Sequence, residues 1–176
     1  SDERTTAATR RGTRAPGSGV RTHSGGVGMI TNAEAGGIAR GVLKWGREHE
    51  SGRLTAAVLD AGGHLVVLER DDGSEFLRVD VAQAKAWGAL GMGLPTRVIN
   101  ERMDHVGDFF RALSAVSKGR VIPVPGGVLI RRDGVIIGAV GVSGDRPDVD
   151  EQAAVAAIEA AGLQADFGQV EEWRRP

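Results

Sequence analysis

Two pairs of short apolar runs, each joined by a few turn-forming residues, constrain this chain more than any other feature. Thr55 to Asp60 and Leu65 to Glu69 flank Ala61-Gly62-Gly63-His64; Val128 to Ile130 and Val135 to Val142 flank Arg131-Arg132-Asp133-Gly134. Both have the spacing of a β-hairpin, whose strands run antiparallel. A purely parallel sheet is therefore excluded. Helical patterns surround the hairpins. Thr31-Asn32-Ala33-Glu34 has capping-box spacing ahead of Ile38, Val42 and Trp45, predicting a helix to about Glu48. Phe76 to Leu90 reads as a second helix, closed by Gly91, Gly93 and Pro95, and Thr96 opens a weaker helical region through Val116. Asp148, with Glu151 three residues on, reads as the cap of an alanine-rich helix to about Ala161. The order α, β, β, α, α, β, β, α predicts an α+β fold: an antiparallel sheet of hairpins with helices packed on it.

Composition narrows the chemistry. With 176 residues the chain supports one ordinary core. Residues 29–165 read as the domain, 1–28 as a basic Gly/Ser/Arg-rich tail holding His23, and 166–176 as a C-terminal tail. The first 28 residues carry five arginines against Asp2 and Glu3, a net +3, so the rest carries −4 of the total of −1. That segment reads as a solvated tail, or alternatively as an arm that grips an acidic partner. The near-zero net charge argues against nucleic acid as a partner. No apolar run approaches the roughly 18 residues that span a bilayer, so no membrane partner is expected. The expected location is cytoplasmic, with secretion left open if a signal peptide has been removed. Cysteine and tyrosine are both absent, which removes disulfides, thiolate nucleophiles and sulfur-ligated metals. The 27 glycines are about twice the usual share of about 7%.

The polar residues that remain admit paired readings. Arg70, in the charged turn Glu69-Arg70-Asp71-Asp72-Gly73, is either turn chemistry or a grip for an anion. Lys85, among Ala84, Ala86 and Trp87 mid-helix, either snorkels to solvent or is partly desolvated, a usable acid, base or anion anchor. Gly126-Gly127 and Ser143-Gly144 are either tight turns or places where a ligand meets bare backbone amides. Asp148, Asp150 and Glu151 suit helix capping, or proton transfer. The histidines have no metal-binding spacing such as HExxH; His49 suits a helix C-terminus, and His64 and His105 are candidate axial haem ligands.

Taken in order, several of these segments resemble the GlcG/HbpS-like family, a haem-binding-protein-like domain also found at the C-terminus of some corrinoid adenosyltransferases. The resemblance rests on Val58-Leu59-Asp60-Ala61-Gly62-Gly63-His64-Leu65-Val66, Arg70-Asp71-Asp72-Gly73, Ala82-Gln83-Ala84-Lys85-Ala86 and Pro95-Thr96. It continues through Gly126-Gly127-Val128, Ile137-Gly138-Ala139-Val140-Gly141-Val142-Ser143-Gly144 and Asp150-Glu151-Gln152-Ala153, covering residues 29 to about 163. Two features depart from the family: Asp71 stands where relatives often have a small apolar residue, and Arg97 to Pro125 follows its own sequence. The resemblance implies a profilin-like or PAS-like layered domain assembled as a dimer or larger symmetric oligomer. It also implies a small-ligand-binding protein, with haem or a related tetrapyrrole as ligand. Ligand contacts would then fall on Arg70, Lys85, Thr96, Gly126, Gly127, Ser143 and Gly144. The alternative is a cofactor-free enzyme of tautomerase or hydrolytic deaminase type, acting on a small unsaturated carboxylate with Lys85, Asp150 and Glu151 as catalytic groups.

Overall fold

The computed structural model describes residues 28–103 and 105–168. The predicted N-terminal tail, apart from Gly28, and residues 169–176 of the C-terminal tail lie outside the described residues. Ten elements follow in chain order: α1 (Asn32–Glu48), β1 (Thr55–Asp60), β2 (Leu65–Arg70), α2 (Leu77–Met92), α3 (Thr96–Met103), α4 (Gly107–Val116), β3 (Gly127–Arg132), β4 (Val135–Ser143), α5 (Pro147–Ala160) and β5 (Gln164–Asp166). The strands form one antiparallel sheet in the order β2-β1-β4-β3-β5.

Local chemistry sets both hairpin turns. Asp60 accepts hydrogen bonds on Oδ1 from the backbone of Gly62 at 2.9 Å and His64 at 3.0 Å, so its carboxylate substitutes for a backbone turn partner. Asp133 and Gly134 both have positive φ, 50° and 79°, the requirement of a two-residue turn whose twist matches its strands. Where β3 meets β4, Ile130 pairs with Gly138 and Arg131 with Ile136, leaving Ile137 as the extra residue of a bulge. The bulge shifts the alternation, so Ile137 and Val140, three apart, both enter the larger core.

The sheet is covered on both faces, which is why β1, β3 and β4 are buried. Ala56, Val58, Val128 and Val142 point into the core with α1 and α5, while Ala57, Leu59, Leu129 and Ala139 point toward α2. Small residues set the helix distances. On α2, Ala82, Ala86 and Ala89 form one buried stripe, and a Cβ on Gly141 of β4 would collide with the carbonyl oxygen of Ala82. The capping box of α1 is present, with Thr31 Oγ1 accepting from Glu34 N–H at 3.2 Å and Glu34 Oε2 accepting from Thr31 N–H at 2.9 Å.

Three sequence expectations are corrected. The N-cap of α5 is Arg146, without a side-chain cap bond, and Pro147 occupies the first turn, where its fixed φ starts the helix without a capping carboxylate. Asp148 therefore sits inside the helix, paired at the surface with Arg146 at 3.4 Å. The weak helical region after Thr96 is two helices, α3 and α4, and α4 packs on no helix or strand except α3. β5 takes Asp166, expected in the C-terminal tail, into the sheet through pairing with Leu129 and an Arg131–Asp166 bridge at 2.8 Å.

Candidate functional site

Lys85 is buried. Its side chain is 3% exposed and that of Asp150 2%, and the ammonium donates to Asp150 Oδ2 at 2.7 Å and to the Val142 carbonyl at 2.8 Å. Asp150 Oδ1 accepts from the Asp145 amide at 3.0 Å. Gly126 passes directly over this pair at φ 118°, where a Cβ would stand 2.8 Å from Nζ. Thr96 Oγ1 accepts from the amide of Gly127 at 2.8 Å, and Arg97 grips Glu151 through Nε and Nη2. Ser143 accepts a long bond from Arg78 at 3.5 Å at the end of β4, beside Gly144. Lys85, Thr96, Gly126, Gly127, Asp150 and Glu151 thus come together in one buried polar layer joining α2, α3, β3 and α5. Arg70 does not join them: it is exposed, and Thr55 of β1 separates it from Ser143 in the register.

Burial dominates the electrostatics of this layer. Desolvation lowers the pKa of Lys85 and raises that of Asp150, and the attraction between the two opposes each shift. Both effects work against carrying charge in the interior, yet the ammonium has two acceptors and each buried carboxylate has a cationic partner. The snorkelling reading of Lys85 is thereby replaced: Ala82 and Ala86 bring α2 so close to the sheet that its ammonium ends under Gly126.

A second locus lies at the turn end of the first hairpin. A groove of about 670 Å³ runs between that hairpin, α2 and the 119–122 segment, walled by Leu59, Leu65, Leu77, Val81, Trp87 and Ile122. Its volume falls within the range of about 300–1,000 Å³ common for small-ligand sites, and its walls are mainly apolar. His64 stands on its rim with a side chain 81% exposed and Nδ1 3.3 Å from Asp60 Oδ1. Hydrogen bonds from His64, first through its backbone, hold the Asp60 carboxyl below its ordinary value, so the carboxylate stays charged behind the imidazole. With a carboxylate as its partner, Nδ1 is the donor of that contact, and Nε2 is the ring nitrogen left available. Trp87 packs against Gly63, whose missing Cβ would sit 3.3 Å from the indole, and the Arg120 guanidinium lies 4.3 Å from the Trp87 ring centroid.

His105 is exposed between α3 and α4 and is not among the residues lining this groove. His49 caps α1 as expected and stacks on Trp45, with ring centroids 4.1 Å apart. Among the described residues no group of three or more His, Asp or Glu could hold a metal ion. No described helix is long and apolar enough to cross a membrane. Reading the sequence missed Trp87, Asp80 and Arg120 as groove residues. The one local signal was the glycine pair Gly62-Gly63 facing an aromatic helix.

A single antiparallel sheet with helices on both faces and a mainly apolar, ligand-sized groove beside an edge hairpin defines a class of small layered α+β domains. Within it the chain belongs to the HbpS-like family, described as haem-degrading protein HbpS-like, whose model matches residues 30–159. The corrinoid adenosyltransferase PduO of Salmonella typhimurium is 29% identical over 110 residues, 62% of this chain and 32% of that protein; PduO of Citrobacter freundii is 27% identical over 111 residues, 63% and 33%. The chain therefore spans about a third of the length of these curated relatives. Among solved structures, Klebsiella pneumoniae protein ORFY aligns with a TM-score of 0.71 at 28% identity, covering 82% of this chain and 98% of that one. A PduOC complex with haem has a TM-score of 0.69 at 24% identity, covering 78% and 99%. The fold and family expectations are met.

Proposed function

We propose that the protein binds haem or a related tetrapyrrole in the groove beside the first hairpin, where His64 would hold its metal. The observation that carries this reading is an imidazole, oriented by Asp60, on the rim of an apolar groove with an indole in its wall. Nitrogen ligation needs a neutral imidazole with a free lone pair, and a carboxylate on the other ring nitrogen is the usual means of fixing tautomer and orientation. Membership of a family described by haem degradation, and the haem complex of the related PduOC fold, support the same ligand. A bound haem would supply iron-centred redox and ligand-exchange chemistry. The chain's own part would be to hold the ring system against Leu65, Leu77 and Trp87, to exclude water there, and to present His64.

The cofactor-free alternative would place acid and base on Lys85, Asp150 and Glu151, the last already gripped by Arg97. Lys85 and Asp150 satisfy one another, Val142 and Asp145 in a closed layer, so the open groove carries the stronger case. A haem titration followed by the Soret band tests the proposal. His64→Ala is expected to abolish the ligation-dependent shift, while His105→Ala leaves it in place. An unchanged shift in His64→Ala rules out that ligand, and no shift in the unmodified protein rules out the function.

A further inference from the structure

The tetrapyrrole reading leaves unexplained the cation in the groove wall. Eight described arginines form an ion pair with a carboxylate. Arg53, Arg70 and Arg120 are in none of the described ion pairs, and Arg120 lies over the face of Trp87, lining the groove. Its position is built into the backbone. Lys118 and Gly119 take positive φ, 53° and 73°, and the Arg120 amide donates to the Ser117 carbonyl at 3.1 Å, turning the chain back toward α2. Val121 then docks on Gly88, where a Cβ would lie 3.2 Å from its Cγ1, so the segment is seated one residue from Trp87 on the same helix.

The groove also has a direction. Asp80 lines it seven residues before Trp87 on α2, which along a helix is a separation of about 10 Å. A carboxylate on the ligand is repelled at the Asp80 end and attracted at the Arg120 end. A planar apolar body can replace the guanidinium on the indole face while its acidic edge receives that same guanidinium in a charge-assisted bond. We infer that Arg120 is the specificity-determining residue of this groove, selecting planar ligands whose carboxylates lie along one edge and setting that edge away from Asp80. This rests on the groove being the tetrapyrrole site, and it adds what the site discriminates.

Haem and haem dimethyl ester, whose carboxylates are capped, separate the two ideas. Each is titrated into the unmodified protein, Arg120→Gln and Arg40→Gln, reading the Soret band and quenching of tryptophan fluorescence, with circular dichroism to verify folding. The unmodified protein is expected to bind haem roughly tenfold more tightly than the ester, the effect of one charge-assisted contact. Arg120→Gln should lower haem affinity to the level of the ester and leave the ester unchanged. Arg40→Gln, on α1 across the sheet, should preserve the preference. Equal binding of haem and ester by the unmodified protein, or a preference that survives in Arg120→Gln, overturns the role of Arg120 while the groove stands. Failure of the unmodified protein to bind either ligand overturns the groove reading and this inference together.

Discussion

Lys85 and Asp150 each have a burial that opposes their charge and a partner that restores it, which makes their separate removal informative. Lys85→Met leaves an unpaired carboxylate among Val142, Asp145 and Gly126, and Asp150→Asn leaves an unpaired ammonium. Each is expected to destabilise the fold by about 3–5 kcal/mol, the usual range for breaking one side of a buried pair, and Lys85→Met with Asp150→Leu to recover much of that. Denaturant titration measures both. The single variants should also differ in pH dependence. In Asp150→Asn the Lys85 pKa falls further below 10.5, so between that lowered value and 10.5 the unfolded chain binds a proton the folded one does not. Stability then rises with pH across that window. In Lys85→Met the Asp150 pKa rises further above 3.8, the folded chain holds the extra proton, and stability falls as pH increases from 3.8 to the raised value. Equal pH slopes in the two variants would contradict this account.

Helix α2 depends on what is missing opposite it. Gly141→Ala puts a methyl group against the backbone of Ala82 and 2.7 Å from the Ala86 amide, and backbone atoms cannot rotate away as a side-chain end can. A loss of about 1–3 kcal/mol or more is expected, the range for overpacking. Gly37→Ala on α1 meets nothing within 4 Å and should raise stability by about 0.4–1 kcal/mol through the unfolded chain alone. Melting temperatures of the two variants should therefore move in opposite directions. The hairpins and α1 were legible from periodicity and turn residues. β5 was not, because Gln164-Ala165-Asp166 has no apolar alternation and is a strand only through its pairing with β3 and the Arg131–Asp166 bridge. The end of α3 was hidden for a similar reason, since Thr96 through Val116 supports a helical pattern without a strong stop.

The whole domain leaves apolar surface to cover. Phe76 is 78% exposed beside the groove, and Val116 is 81% exposed on α4, which packs on no helix or strand except α3. β2 and β5 are open edges of the sheet. Together with the oligomers implied by the family resemblance, these surfaces lead us to expect self-association with closed symmetry. Light scattering at micromolar concentration should give a mass above the 18.4 kDa of one chain. A monomeric mass would argue that α4 and the hairpin edge face water or another partner.

Whatever is decided within a few residues of the chain can be read from the order of its amino acids. The Thr31–Glu34 capping box, the Asp133-Gly134 turn and the paired apolar runs each depend on hydrogen bonds and periodicities that close locally. Which charges are buried and which residues face one cavity depend instead on long-range packing. Lys85 and Asp150 are 65 residues apart, Arg97 and Glu151 are 54 apart, and Trp87 and Arg120 belong to different segments that meet because Val121 seats on Gly88. The physical reason is that burial and electrostatic fields depend on distance through space, set by which strands pair and how closely α2 approaches them. Neighbours in sequence can therefore signal a turn or a cap, but they leave open whether a lysine on a helix meets water or a carboxylate.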